Sequence, residues 1–273
     1  MQIDARTVLR GYRGRGLFVT ATGTDVGKTT VTAALAAALV RRGGGMKVGI
    51  CKPVASGCPP MASARQAEQT EDLRSPDMEV TLAAAGLDPA QALGQDASGD
   101  NRTLLDVASP VRLAMPVSPH IAARLEGRTI DWQRVEAALA YWESHCDFLL
   151  VEGAGGWQVP LDGSDFAIAD LAAILGLPVL VVTDATLGIL NVAQLTVQAI
   201  RARGLEVAGV VINHMPRSRD LAAQENLGEL PRLCAAPLRG VFYESAKPQS
   251  GASLPEEFIN ALEPWARELV HPR

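Results

Sequence analysis

A lysine and two threonines follow a glycine in a spacing suited to gripping phosphate. The segment Ala21-Thr22-Gly23-Thr24-Asp25-Val26-Gly27-Lys28-Thr29-Thr30 comes directly after the apolar run Leu17–Thr20 and opens an alanine-rich stretch. Backbone N–H groups of such a turn wrap oxyanions, and the start of the following helix adds partial positive charge. Lys28 is then placed to meet the β and γ oxygens of a nucleoside triphosphate, and Thr29 to offer its hydroxyl to Mg2+. The strict pattern G-x-x-x-x-G-K-[ST] puts its first glycine on Thr22, with Gly23 one residue later and Ala21 one residue earlier, so the loop is a variant. The bland alternative is an ordinary glycine-rich turn. The direct passage from strand through Gly-Lys-Thr-Thr into helix argues against it.

Other polar groups sit at the ends of apolar runs, where open α/β sheets bind ligands. Cys51-Lys52-Pro53-Val54-Ala55-Ser56-Gly57 ends one such run, and Lys52 is either an anion holder or a solvated lysine at a strand end. Glu152-Gly153-Ala154-Gly155-Gly156-Trp157 ends another; Glu152 is a natural Mg2+ ligand there, with a turn or capping carboxylate as the alternative. The glycines let a ligand approach the backbone, and Trp157 is the tryptophan best placed to lie near it. The turns Asp184–Asn191 and Asn213-His214-Met215-Pro216 also follow strands. Taken alone, the Gly188 turn is a tight strand-to-helix connection. His120 reads equally well as a cap or a surface imidazole, and His145, His214 and His271 lack metal-ligand spacing.

These groups need a sheet to align them. Short runs rich in Val, Leu and Ile alternate with longer alanine-rich stretches, the pattern of a parallel sheet with crossover helices. Strands are expected at Leu17–Thr20, Lys47–Cys51, Phe148–Glu152, Val179–Thr183, Val207–Ile212 and Leu238–Phe242, and helices at Lys28–Arg42, Ile121–Glu126, Trp132–His145, Asn191–Arg203 and Glu256–Val270. The fold class is therefore α/β: a single-domain phosphate-loop fold, mostly parallel, with helices on both faces. Its 273 residues and 48% hydrophobic content suffice for one core. Residues 1–16 carry four arginines and no apolar leader core, and are read as a mobile extension before a domain spanning 17–273. Weak order is expected from Cys58 to Pro110, with Gly94 to Asn101 a flexible insertion.

A net charge of −5 without a basic stripe argues against a nucleic-acid partner. No apolar run approaches the roughly 20 residues that span a bilayer, so no membrane insertion is expected. The widely spaced Cys51, Cys58, Cys146 and Cys234 form no zinc pattern and suit a reduced, cytoplasmic protein.

Taken in order, the loop from Phe18 to Thr29, Lys52-Pro53-Val54-Ala55-Ser56-Gly57, Ser118-Pro119-His120, Val151-Glu152-Gly153-Ala154-Gly155-Gly156-Trp157, Leu187-Gly188-Ile189-Leu190-Asn191 and Asn213 resemble the dethiobiotin synthetase family. The similarity runs from about Leu17 to the region of Gly240. It implies that 7,8-diaminopelargonic acid takes up CO2 as a carbamate, that the carbamate attacks the γ-phosphate of ATP, and that the second amine closes a ureido ring. Lys28 and Lys52 would stabilise the transferring phosphoryl group, while Thr24 and Ser56 would orient the diamine. Thr29 and Glu152 would hold Mg2+ with an aspartate. The family's Leu-Arg-x-x-Asp stretch falls on Leu73–Asp77, favouring Asp77 over Asp72. Gly23, Asp25, Val26, Gly27, Lys28, Thr29, Thr30, Glu152, Gly155 and Gly156 would bind the nucleotide, with Asn213 and Pro237 at adenine. Gly188, Ile189, Leu190 and Asn191 would cradle the substrate carboxylate across a homodimer interface.

The chain departs from the family pattern at Ala21, which replaces a loop glycine, at Val192, which replaces a frequent histidine, and at Met115, which replaces a glutamate. An alanine at a position needing φ > 0 is strained by about 1 kcal/mol or more. A partitioning-type switch ATPase would carry a second lysine where this chain has Gly23. A cobyrinic-acid amidating enzyme would carry a glutaminase domain. A small-molecule kinase without ring closure is the nearest alternative chemistry.

Overall fold

The computed structural model describes residues 4–61, 70–95, 101–163, 165–217, 220–244 and 254–271. In chain order its elements are α1 (Ala5–Val8), β1 (Gly16–Ala21), α2 (Lys28–Arg42), β2 (Val48–Cys51), β3 (Val54–Ala55), a 3-10 turn at Thr70–Asp72, α3 (Pro76–Ala84), β4 (Ala92–Gln95), β5 (Asn101–Thr103), α4 (Leu104–Ala108), β6 (Val111–Arg112), α5 (Pro119–Leu125), α6 (Trp132–His145), β7 (Phe148–Glu152), α7 (Ile168–Leu175), β8 (Val179–Thr183), α8 (Ile189–Ala202), β9 (Val207–Met215), α9 (Leu221–Cys234), β10 (Leu238–Tyr243) and α10 (Glu256–Val270).

The main sheet has six parallel strands in the order β10-β9-β8-β1-β7-β2. Every residue of β1, β2, β7 and β8 is buried. That burial explains the continuous apolar runs: a strand covered on both faces has no solvent side to make it alternate. The six expected strands are the six that form this sheet. β1 lies at its centre, between β7 and β8, so the turn leaving β1 opens among the ends of the other strands.

Helix α2 begins at Gly27, whose φ of 89° is left-handed, and closes on Gly43, whose N–H donates to the Leu39 carbonyl. Arg41 and Arg42 in its last turn complement the helix dipole. Its face of Val31, Ala34, Leu35, Ala38 and Leu39 is buried without residual exposure. The small residues let the helix lie close to the sheet, and Leu35→Ala or Leu39→Ala would cost about 2–5 kcal/mol through the cavity left behind.

Three expectations are corrected by packing. Of residues 1–16, read as a mobile extension, residues 1–3 lie outside the described residues and the rest lie against the body: Ala5 is fully buried, and the Arg10 and Arg13 amides donate to Glu136 and Glu143 of α6 at 3.1 and 2.7 Å. The stretch from Cys58 to Pro110, expected to be weakly ordered, contains α3, α4 and the β4–β5 hairpin. Met78, Leu82, Leu104 and Leu105 anchor its described part in the core; residues 62–69, and residues 96–100 of the expected insertion, lie outside the described residues. Trp157, placed near a ligand by its glycine neighbours, is 4% exposed and packs in the hydrophobic core.

The sequence reading also passed over α7 and α9. The first has only eight residues, and the second carries Gly228 and Pro231, both poor signals for a helix. Helix α8 starts at Ile189, two residues before the expected Asn191, because Gly188 adopts φ 98° and caps it. No helix among the described residues is long and apolar enough to cross a membrane.

Candidate functional site

At the carboxyl ends of β1, β2 and β7 lies a cavity of about 480 Å3, lined by Thr24, Asp25, Gly27, Lys28, Thr29, Thr30, Lys52, Ser56, Asp77, Glu152, Ala154, Gly155 and His214. Four elements position these charges. Lys28 opens α2 and is 7% exposed; Lys52 follows β2 and is 8% exposed; Glu152 ends β7 and is fully buried. Asp77 is in the first turn of α3, behind Pro76.

The charges converge on one carboxylate. Lys52 Nζ lies 2.9 Å from Glu152 Oε1, and Thr29 donates its hydroxyl to the same oxygen at 2.9 Å. Lys52 also pairs with Asp77. Burial disfavours the Lys52 charge, but Glu152 and Asp77 outweigh it and hold its pKa above the ordinary lysine value. Burial pulls Lys28 below that value; Glu152 opposes the shift and Lys52 adds to it. Two buried lysines beside two carboxylates put cations and hard oxygen donors side by side, so an entering anion can meet the lysines while a cation meets the carboxylates.

Among the described residues, Glu152 Oε2 has no hydrogen-bond partner. A fully buried carboxylate oxygen left without a donor is costly unless something positive meets it. Thr29, Glu152 and Asp77 offer only hard oxygen donors, which suit a small divalent cation better than a soft one. No group of three or more His, Cys, Asp or Glu suited to holding a metal occurs among the described residues. Such a cation would therefore complete its shell with oxygens from a bound anion or water.

The phosphate loop is held from below. Asn213 is 2% exposed, and its Nδ2 donates to the Val26 carbonyl at 2.9 Å. A Cβ on Gly27 would come within 1.9 Å of that nitrogen, so Gly27 must be glycine for two reasons, its φ and its neighbour. Ala21 ends β1 in register with Val182 and is absent from the residues with positive φ. Besides Gly27, the loop residue in the left-handed region is Asp25, at φ 61°.

Of the expected site residues, the fold brings Thr24, Asp25, Gly27, Lys28, Thr29, Thr30, Lys52, Ser56, Asp77, Glu152 and Gly155 to one cavity. Val26 is buried beneath it and Gly156 lies behind it, against the backbone of Ala21 and Gly23. Asp77, and not Asp72, lines the cavity. Gly188 to Asn191 do not line it; they start α8, with Leu187 at 89% exposure beside them. Pro237 precedes β10, and its carbonyl accepts from Val210. His214, passed over because it lacked metal-ligand spacing, does line the cavity; its place directly after Asn213 at the end of a strand was the available signal.

A family profile described as AAA domain matches residues 15–242. The chain is 38% identical to the ATP-dependent dethiobiotin synthetase BioD of Streptomyces coelicolor over 257 residues, covering 91% of this chain and 90% of the relative. It is 41% identical to the protein of the same name from Aromatoleum aromaticum over 227 residues, covering 83% and 89%. Among solved structures, a ParA family ATPase from Chlorobium tepidum superposes with a TM-score of 0.51 at 15% identity, covering 93% of this chain and 99% of that one, a likeness of fold. With nearly its whole length aligned to such relatives, and with the cavity's charged groups drawn from the motifs that suggested them, the chain belongs to the dethiobiotin synthetase family.

Proposed function

We propose that this chain converts 7,8-diaminopelargonic acid, CO2 and ATP into dethiobiotin, ADP and phosphate, the ring-closing step of biotin synthesis. ATP-dependent dethiobiotin synthesis is the activity of its family. The observation that carries the reading for this chain is the convergence of Lys28, Lys52, Thr29, Asp77 and Glu152 on one cavity. One diamine nitrogen adds to CO2, losing a proton, to give a carbamate. A carbamate oxygen attacks the γ-phosphorus and ADP leaves. The second amine then attacks the carbonyl carbon and expels phosphate, closing the ring.

The protein's part is positioning and charge. Lys28 meets the charge on the transferring phosphoryl group, and Lys52, freed from Asp77 as the anions enter, holds carbamate and γ-phosphate oxygens. Thr24 and Ser56 orient the diamine. Thr29, Glu152 and Asp77 hold Mg2+, which when bound neutralises charge on the phosphates. The loop N–H groups from Gly23 to Thr30 cradle the phosphates, with Gly155 and Gly156 behind them.

A homodimer completes the site: the Gly188–Asn191 turn of one protomer, where Gly188 and Asn191 are exposed, receives the carboxylate of the diamine bound by its partner. Leu187, Val192 and Leu195, respectively 89%, 39% and 58% exposed, supply an apolar surface beside that turn. All four cysteines are free and three of them are buried, which suits the cytoplasm. The test is incubation with ATP, Mg2+, bicarbonate and diaminopelargonate. Dethiobiotin detected by mass together with phosphate release is the expected result; ADP formation with the phosphoryl group retained on the substrate would point to a kinase instead, and phosphate release without a ring-closed product to a switch ATPase.

A further inference from the structure

We propose that in the nucleotide-free chain the Lys52 ammonium occupies the place of the divalent cation, so that a free metal ion is excluded until an entering nucleotide draws the lysine away. The proposal rests on the reading of Thr29, Glu152 and Asp77 as the oxygens that hold Mg2+. It adds an internal cation that decides when those oxygens become available.

Each of them is already engaged. Lys52 Nζ lies 2.9 Å from Glu152 Oε1 and also pairs with Asp77 Oδ2. One ammonium therefore bridges the two carboxylates that a metal ion would bridge. Thr29 turns its hydroxyl proton onto the same Glu152 oxygen, at 2.9 Å, and so presents a donor where a metal needs a lone pair. Glu152 is 0% exposed, so an ion arriving through the cavity reaches it only by displacing a side chain that covers it. A small divalent ion binds oxygen at about 2.1 Å. Sharing Glu152 Oε1 with Lys52, it would stand within about 5 Å of the ammonium, where like charges away from bulk water repel strongly. Ion and lysine are alternatives.

A nucleotide removes the conflict. Phosphate oxygens give the ammonium a new partner, and they also supply ligands that the protein lacks, since no group of three His, Cys, Asp or Glu suited to a metal occurs among the described residues. The movement needed is that of one side chain. The Lys52 backbone is fixed, its N–H donating to the Ala108 carbonyl at 2.7 Å, so only the flexible four-carbon stem turns. Asp77 is the partner it leaves more readily, because that side chain is 48% exposed and water can solvate it. Metal and nucleotide then bind with positive coupling, which is reciprocal by linkage.

The probe is Mn2+, a hard divalent ion with the same preference for oxygen, followed by electron paramagnetic resonance on the full chain without nucleotide. The unmutated chain is compared with Lys52→Met and Lys52→Gln, which are neutral, and with Lys52→Arg, which keeps the charge. The expected result is Mn2+ binding about tenfold tighter or more in both neutral variants, and no gain in the arginine variant. Adding Asp77→Asn to either neutral variant should abolish the gain, which assigns it to this site. Thermal unfolding is the second readout: Mn2+ should raise the midpoint of the neutral variants, whose Glu152 has lost its cation, and leave that of the unmutated chain in place. A neutral variant that folds only when Mn2+ is supplied supports the proposal in the same way.

Mn2+ binding by the unmutated chain as tight as by the neutral variants would overturn it. So would a gain kept despite Asp77→Asn, a gain shared by Lys52→Arg, or neutral variants that unfold and that Mn2+ does not restore. Titration of Mn2+ with β,γ-methylene ATP tests the metal assignment separately. If Asp77→Asn leaves the binding of that complex unchanged, the metal assignment fails and the proposal with it. If Asp77→Asn weakens it while the neutral variants gain nothing without nucleotide, only the role of Lys52 as the internal cation is overturned. None of these measurements requires turnover, so a chain that forms no dethiobiotin would overturn the reaction alone.

Discussion

Lys52 Nζ sits 2.9 Å from Glu152 Oε1, although the two residues are 100 positions apart in the chain. The contact exists because β2 and β7 are adjacent and parallel, with Cys51 opposite Val151, so the residues that follow each emerge side by side. A fully buried glutamate is tolerable there because Lys52 and Thr29 both face one of its oxygens.

Lys52→Ala is expected to lower turnover by about 100- to 1000-fold, the scale of losing one preorganised charge at a transition state, as read by phosphate release. It should also destabilise the fold by about 3–5 kcal/mol, because Glu152 would remain buried without its cation. Near-normal turnover would remove Lys52 from the mechanism.

Asp77→Asn should raise the Mg2+ concentration needed for half-maximal activity, while Asp72→Asn should leave it unchanged. Asp77 lines the cavity and Asp72 does not. The measurement is a Mg2+ titration at fixed ATP, and a shift confined to Asp72→Asn would reverse the assignment.

Gly27→Ala places a methyl 1.9 Å from Asn213 Nδ2 and forces alanine to φ 89°. Nucleotide binding should be lost in direct titration while the chain remains folded by circular dichroism. Tight ATP binding by this variant would show that the loop rearranges freely.

Leu195→Asp puts a charge on the exposed apolar face of α8, where Leu195 is 58% exposed. Sedimentation should then report monomers, and the KM for the diamine should rise with ATP affinity retained. A dimer that persists with this substitution would place the interface elsewhere.

Acid stability should depend on Asp106. Burial alone would raise its pKa, but the Thr103 backbone N–H and the buried Arg112, 2.9 Å away, outweigh this and hold it below the ordinary carboxylate value. A depressed folded-state pKa contributes stability that is present above the unfolded value of about 3.9 and is lost as pH falls through the folded value. Asp106→Asn should therefore cost about 2–3 kcal/mol at neutral pH and flatten the acid limb of a denaturation profile below about pH 4. An unchanged profile would assign that limb to other carboxylates.

Local patterns in the sequence determined the parallel sheet, the helices that begin at Lys28, Trp132 and Glu256, and the phosphate loop. A buried strand, a glycine turn and a helix start each leave their signal within about ten neighbouring residues. The helices α7 and α9 were missed because their length, Gly228 and Pro231 weaken that local signal. Packing of residues 4–15 on α6 depends on partners more than a hundred positions away, such as Glu136 for Arg10, and local patterning carries no trace of them. The same limit applied to the site. Residue types nominated Lys52 and Glu152 as candidates, and the family resemblance favoured Asp77. Only the order β9-β8-β1-β7-β2 brought Lys52, Glu152 and Asp77 together on one side of the loop and His214 to the other, because contacts between strand ends are decided by which strands lie side by side.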